Sequence, residues 1–406
     1  MSLTLEKSLR RLTEELRMLS GLSVSFGTAK ESRTIRFGLA QEAVLREGRF
    51  VPEPRPITES SLFDLASLTK LFTAVCMLQL IERGKLGFDD SVGGLDPRFS
   101  CLKKISVYEL LTYQVPLRSP ERVDAQPDGD AAERQIFACA PAPGPEPEKL
   151  YSDMNALICR YLVESVSGLS FEAYLGKYIF SPLGLRNTFA KVPENRLKDC
   201  LNYNYEHRVV NGRWLLSEQV TPGLPHDPKA RLLLKTGKGL SGHAGLFSTA
   251  EDMVRFAQGL LEGAILSRET LLEIGKNRTG TTAGRYRQYL GYLCFAKSAV
   301  KRLSEVPPWM GERALGLSGY TGNHLAIDPE LGAFDLLLGN RCHMRVSAIE
   351  PPEAAEAFGL SEEGAGLIRW PDGRLVHSSF RYVYQKDNLI HLPAYEGMRA
   401  LGWIEL

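Results

Sequence analysis

Ser67-Leu-Thr-Lys70, running on as Leu71-Phe-Thr-Ala-Val-Cys-Met-Leu78, carries the most information in the chain. Leu71, Val75, Leu78 and Ile81 share one helical face and Gly84 supplies a stop, so the spacing predicts a buried helix over about residues 67–83. A serine and a lysine three residues apart then lie on one side of its first turn. A serine hydroxyl is a poor nucleophile until a base takes its proton, and lysine is such a base only when burial or a nearby positive charge weakens its hold on its own. The apolar run supplies the burial and the helix N-terminus the positive charge. Ser67 therefore reads as a nucleophile with Lys70 as its base. Two further Ser-x-x-Lys matches lack this setting: Ser100-Cys-Leu-Lys103 falls in a connecting turn, and Ser298-Ala-Val-Lys301 sits among Lys297 and Arg302 as an exposed basic patch.

On either side of this helix the pattern changes. Leu5, Leu9, Leu12, Leu16 and Leu19 predict an opening helix, and alternating Leu22, Val24, Phe26 and Ile35, Phe37, Leu39 predict a hairpin. Ser106-Val-Tyr-Glu109 spells a capping box, helices are expected over about 153–166 and 170–178, and Ser248-Thr-Ala-Glu251 is expected to cap another to about Leu261. Residues 116–150, closing with APAPGPEPEKL, read as a long loop. Strand-like runs return at Tyr289–Phe295, Ala314–Tyr320, His324–Ile327 and Phe334–Leu338. The order predicts an α+β fold: a main domain over 1–350, with a sheet-bearing lobe built from both ends and a helical lobe inserted at roughly 85–230. Beyond it, 351–406 is expected to be a small C-terminal β appendage packed on the main domain, on the alternation of Val376, Ser378, Phe380, Tyr382 and Tyr384.

The 406 residues, 44% hydrophobic and 24% charged, suit a folded soluble chain with a sizeable core. Forty-nine basic against forty-eight acidic side chains leave a net charge of +1, which gives no general attraction to nucleic acid or anionic membrane. The expected partner is a small molecule: an ester, amide or peptide. No run of eighteen apolar residues predicts a membrane span, and the first twenty residues are too polar for a signal core. The chain as given is expected to be cytoplasmic, or periplasmic or secreted if a signal has been removed. Seven scattered cysteines without a C-x-x-C pair read as reduced thiols, with neither a disulfide framework nor a zinc site.

Tyr151-Ser152-Asp153 emerges from the Pro-rich loop just ahead of a helix. A tyrosine oxygen beside a lysine can relay the serine proton to a leaving group, and a short polar side chain two residues on can orient lysine or substrate. Ser67-Leu-Thr-Lys70, Glu82-Arg-Gly-Lys-Leu86 with Asp89-Asp-Ser-Val92, Tyr151-Ser-Asp153 and Gly242-His-Ala-Gly-Leu-Phe-Ser-Thr249, in that order, resemble the class C β-lactamase and penicillin-binding-protein family of serine hydrolases, in its stand-alone esterase or peptidase-like branch. The resemblance implies an antiparallel sheet flanked by helices with an all-helical lobe, and no metal or other cofactor. It makes Ser67 the acylated nucleophile, Lys70 and Tyr151 the proton-transfer pair, and Asp153 the occupant of a position usually held by asparagine.

The family's third motif, a lysine or histidine followed by Thr or Ser and then Gly, aligns with Leu317-Ser318-Gly319, so its cation is replaced by Leu317. That cation would hold a substrate carboxylate, and its loss favours an esterase over a β-lactamase or a carboxypeptidase. Ser318, Gly319 and Tyr320 remain as substrate-binding candidates, with the Tyr320 N–H and the Ser67 N–H as an oxyanion hole. Asp153 is expected to keep Lys70 charged and pass more of the proton transfer to Tyr151. Leu111-Thr-Tyr-Gln-Val-Pro116, where relatives tend to carry a Thr-His-Thr-Ser-Gly-like turn, is expected to reshape the rim. Lys235-Thr-Gly237 spells the missing motif in the wrong place, and Gly237-Lys-Gly-Leu-Ser-Gly242 spells a dinucleotide fingerprint without the helix it needs. His226-Asp227 and His243 read chiefly as structural. The expected activity is hydrolysis of an ester or amide through an acyl-enzyme on Ser67; the rival is a binding pseudoenzyme that lost turnover with the third-motif cation.

Overall fold

The alternation of Leu22, Val24 and Phe26 with Ser23 and Ser25 builds the central strand Gly21–Thr28 of a seven-stranded sheet. The computed structural model describes residues 2–142, 151–279, 288–298 and 305–405. Gly21–Thr28 pairs antiparallel with Ser32–Arg46, setting Leu22 opposite Phe37, and on its other side with Ala333–Gly339. Across the sheet the order is Phe295–Ala296, Leu315–Gly319, Asn323–Asp328, Ala333–Gly339, Gly21–Thr28, Ser32–Arg46 and Arg49–Pro56, antiparallel throughout. Strands from the N-terminal part of the chain and from residues 295–339 thus meet in one sheet. Arg49–Pro56, a strand without an apolar alternation to announce it, carries Pro52, Pro54 and Pro56; proline cannot donate to a ladder, which confines such a strand to an edge.

Each face of the sheet is covered. Leu22, Val24 and Phe26 pack with Leu5, Leu9 and Leu12 of the opening helical segment and with Ile390, Ala394 and Met398 near the C-terminus. The other face, through Leu336 and Leu338, joins the large core that includes Phe256 of the helix Ala250–Leu261 and the buried run from Leu68 to Leu80. The helix Thr69–Glu82, whose residues are buried as far as Leu80, packs on the helix Asp153–Ser167 and stops before Gly84 at φ +61°. Among the described residues no helix is long and apolar enough to cross a membrane. All seven cysteines are free thiols, with Cys101 exposed and the others buried.

Several local expectations change. The capping box of Ser106 and Glu109 is present, but the helix Ala250–Leu261 is capped by Thr249, whose hydroxyl accepts from Asp252 N–H. Ser248 is instead held in a two-strand ladder opposite Phe63. Within 116–150, Asp128 caps a helix Gly129–Phe137 that buries Ala132 and Ile136, while residues 143–150 lie outside the described residues. The stretch 85–230 is not helical throughout: His207–Val210 and Arg213–Leu216 form a hairpin about Asn211 and Gly212, both at positive φ. This hairpin joins Arg345–Glu350, Leu375–Ser378 and Leu367–Arg369 in a second, five-stranded sheet. The C-terminal segment therefore does contribute strands. Its stripe from Val376, however, is a strand only through Ser378; Tyr382 opens helical chain that continues to Ala400 and covers the main sheet. Tyr289–Phe295 reduces to the short strand Phe295–Ala296.

Candidate active site

Ser67 lies in a tight turn, Ala66–Leu68, directly ahead of the helix Thr69–Glu82. Ala66 takes a left-handed φ of +46°, strain of about 1–3 kcal/mol for a residue with a Cβ. Asp64 supports it. Its buried carboxylate accepts from Ala66 N–H at 2.9 Å and from His226 N–H at 2.7 Å. The Asp64 carbonyl accepts from Thr321 Oγ1 at 2.9 Å and Asn323 Nδ2 at 2.7 Å, tying the turn to the sheet. From Ser61 to Leu80, Ser67 is the one residue that is not buried.

Lys70, one turn on, is fully buried at 0% exposure. Its Nζ lies 2.9 Å from Ser67 Oγ, 2.9 Å from Asp153 Oδ1 and 3.2 Å from the His243 carbonyl, three acceptors for three ammonium protons. The loop carrying His243 fits because Gly242, at φ +79°, has no Cβ to collide with Arg160, and its carbonyl accepts from Thr73 Oγ1 at 2.6 Å. Asp153 opens the helix Asp153–Ser167, which Ser152 caps through Met154 N–H. Tyr151 is clamped between Tyr113 and Phe295, with ring centroids 5.5 and 5.2 Å away, and its ring lies 4.9 Å from Lys70 Nζ. The turn at 111–116 thus does more than shape a rim, since Tyr113 walls the Tyr151 ring. The Tyr151 hydroxyl makes no hydrogen bond of ordinary length and angle to a described residue, yet Lys70 and Ser67 are both close enough to act on its proton.

The electrostatics follow from burial and pairing. Burial pulls the Lys70 ammonium down, but the Asp153 carboxylate, and after it Tyr151, raise it further, so its pKa stands above the ordinary lysine value. Burial also lifts Tyr151, against the pull of Lys70. Asp153 resists burial because Lys70, His243 and Lys229 hold it well below the usual carboxylate range. Both members of the expected proton-transfer pair therefore hold their protons more firmly than the free side chains do.

Lys229, absent from the sequence reading, is the largest addition. It sits near the start of the helix Pro228–Lys235, which Asp227 caps, and its Nζ is 3.0 Å from Asp153 Oδ2 and 3.4 Å from Asp227 Oδ2. Asp227 Oδ1 in turn meets His243 Nε2 at 3.0 Å. Asp227 and His243 are thus part of the site's charge network. His226 is near it as well: its ring stacks on Tyr320 at 5.6 Å and its Nε2 lies 3.1 Å from Glu206, which also takes the Tyr320 hydroxyl at 2.6 Å. Asp153, Asp227 and His243 offer ligand atoms within 4.8 Å of one another, but two ammonium groups already occupy the Asp153 carboxylate, which opposes a cation there.

On the strand Leu315–Gly319, Leu317 is buried in the apolar core. Ser318 departs from its expected role as a substrate contact. Side chains alternate along a strand, and its hydroxyl turns to the opposite face, 2.6 Å from Glu305. Gly319 is needed where it stands, because a Cβ there would lie 2.8 Å from the Leu65 carbonyl oxygen. Gly319→Ala is expected to push strand and turn apart and lower activity on the order of 10²-fold, with a lower melting temperature. Steady-state rates and a thermal melt check this; wild-type values in both would show that the close approach is unimportant. Of the decoys, Lys103 and Lys235-Thr-Gly237 are exposed, no helix begins among Gly237–Gly242, and residues 299–301 of the third Ser-x-x-Lys match lie outside the described residues.

The chain is 26% identical over 324 residues to a β-lactamase of Escherichia coli (strain K12), an alignment covering 72% of this chain and 78% of that one. Among solved structures, the simvastatin synthase LovD of Aspergillus terreus (LovD6 mutant) superposes with a TM-score of 0.61 at 19% identity, over 86% of this chain and 93% of that chain. A class C β-lactamase superposes with a TM-score of 0.59 at 16% identity, over 83% and 91%. The expected fold, an antiparallel sheet flanked by helices, is the fold of these neighbours. The profile of the β-lactamase family matches residues 33–357, and the chain belongs to that family.

Proposed function

We propose that the chain is a serine hydrolase that cleaves a neutral, short acyl ester or amide through an acyl-enzyme on Ser67. The observation that carries this is the fully buried Lys70 Nζ, 2.9 Å from the half-buried Ser67 Oγ and beside the Tyr151 ring. Lys70 and Tyr151 lose one proton as a pair, so that either neutral lysine or tyrosinate can take the Ser67 proton. Ser67 Oγ then bonds to the acyl carbon, and the N–H groups of Ser67 and Tyr320 receive the oxyanion. The proton passes to the leaving oxygen or nitrogen as that bond breaks. Water attacks the acyl-enzyme by the same route in reverse, giving the acid and free Ser67.

The substrate class rests on charge. Leu317 stands where a cation would bind a substrate carboxylate, while Lys70 and Lys229 are committed to Asp153 and Asp227. The test compares p-nitrophenyl acetate and butyrate with nitrocefin. The esters should show a burst followed by turnover, with kcat/KM for nitrocefin about 100-fold lower or worse. Nitrocefin as the better substrate would overturn the substrate class, and a stoichiometric adduct without turnover would favour the binding pseudoenzyme.

A further inference from the structure

We propose that Lys229 is a positioning residue for the acylation base: by taking one oxygen of Asp153, it weakens that carboxylate's hold on the Lys70 proton. The inference rests on the proposed roles of Ser67, Lys70 and Tyr151 and adds the element that lets a carboxylate at position 153 coexist with a lysine base. Asp153 is shared, Oδ1 toward Lys70 at 2.9 Å and Oδ2 toward Lys229 at 3.0 Å. Lys229 is steered there by Asp227 at 3.4 Å, and Asp227 is braced by His243 at 3.0 Å, whose own carbonyl accepts from Lys70 at 3.2 Å. The five residues close a ring from the nucleophile helix, through the Asp153 helix and the Pro228–Lys235 helix, back to the His243 loop.

The charges explain the ring. Alone beside the buried Lys70, the half-buried Asp153 carboxylate would hold the ammonium charged and withdraw it from catalysis. A second ammonium on the same carboxylate opposes that hold by direct repulsion of the Lys70 charge. The groups that face this assembly are Tyr151 and Tyr113 from the Lys70 side, His243 and Asp227 from the loop side, Asp124 toward Lys229, and Asp64 with His226 beyond Asp227. Lys229 is therefore the added positive charge in a neighbourhood of carboxylates and hydroxyls.

Removing it has a definite sign. In Lys229→Met the pair formed by Lys70 and Tyr151 should release its proton at higher pH, moving the acid limb of kcat/KM for p-nitrophenyl butyrate up by about one to two units. At fixed neutral pH the rate should fall about ten- to hundred-fold, chiefly in kcat. Lys229→Arg should keep the limb near its wild-type position. The double variant Asp153→Asn/Lys229→Met, which removes both charges, should bring the limb back to or below the wild-type pH and recover most of the rate. A pH-independent loss in Lys229→Met, with no recovery in the double variant, would overturn the proposal in favour of a structural lysine. So would an effect confined to KM for esters bearing a carboxylate, which would make Lys229 a substrate contact. Labelling of wild-type Ser67 by a fluorophosphonate separates the two levels: an unlabelled Ser67 sinks the proposed function, whereas a labelled Ser67 with an unmoved pH limb sinks only the role of Lys229.

Discussion

Ser67→Ala is expected to lower kcat/KM for p-nitrophenyl butyrate on the order of 10⁴-fold or more, and to abolish the pre-steady-state burst. Without the hydroxyl no acyl-enzyme forms, and what remains is water attack assisted by the oxyanion donors. The fold should survive, because the Ser67 side chain is half-buried and Lys70 keeps Asp153 and the His243 carbonyl as acceptors. Stability should therefore change by no more than about 1 kcal/mol, one hydrogen bond exchanged for none. Ester turnover above a tenth of the wild-type rate, with an unchanged melt, would mean that another group carries the reaction.

Lys70→Met, close in volume but without a proton to exchange, is expected to cost about 10³-fold in kcat/KM, the upper part of the range for a lost general base. It should also change the pH dependence. In the wild type, Lys70 and Tyr151 both stand above their ordinary values, so the fraction of the pair lacking one proton, and with it the rate, rises about tenfold per pH unit on the acid side. Stability runs the other way. A lysine raised in the folded state contributes its full stabilisation below its unfolded pKa of about 10.4 and loses it as pH climbs through the folded value. Lys70→Met should remove both the Lys70 part of the alkaline rate increase and the Lys70 part of the alkaline stability loss. Rates across neutral to alkaline pH and thermal melts over the same range decide it; an unaltered rate profile would take Lys70 out of the proton path.

The pairing of Ser67 with Lys70 was legible from spacing alone, because residues three apart at the head of an apolar helix must share a side, and Lys70 does reach Ser67. Tyr151 and Asp153 were legible as a pair at a loop-to-helix junction. Face assignments on the strand were not: Ser318 points away from Ser67 because parity depends on the register with Asn323–Asp328, which no local pattern encodes. Lys229 was invisible for a related reason. Its partner Asp153 lies 76 residues earlier, and nothing around Lys229 marks it beyond the Asp227 cap and Pro228 at the helix start. The strained Ala66 carries no glycine to announce its left-handed turn; Asp64 supplies the supporting hydrogen bond instead. At the C-terminus, Phe380, Tyr382 and Tyr384 prolonged an alternation that the backbone abandons after Ser378, since Tyr382 packs with Ile390, Ala394 and the first strand in the core beneath the sheet.

The most direct measurement is intact-mass analysis of the wild-type protein after exposure to a fluorophosphonate, followed by peptide mapping. A single adduct on the peptide containing Ser67, forming faster as pH rises and absent from Ser67→Ala, is the predicted result. An unmodified protein, or an adduct on a peptide away from Ser67, would contradict the assignment of that hydroxyl as the nucleophile.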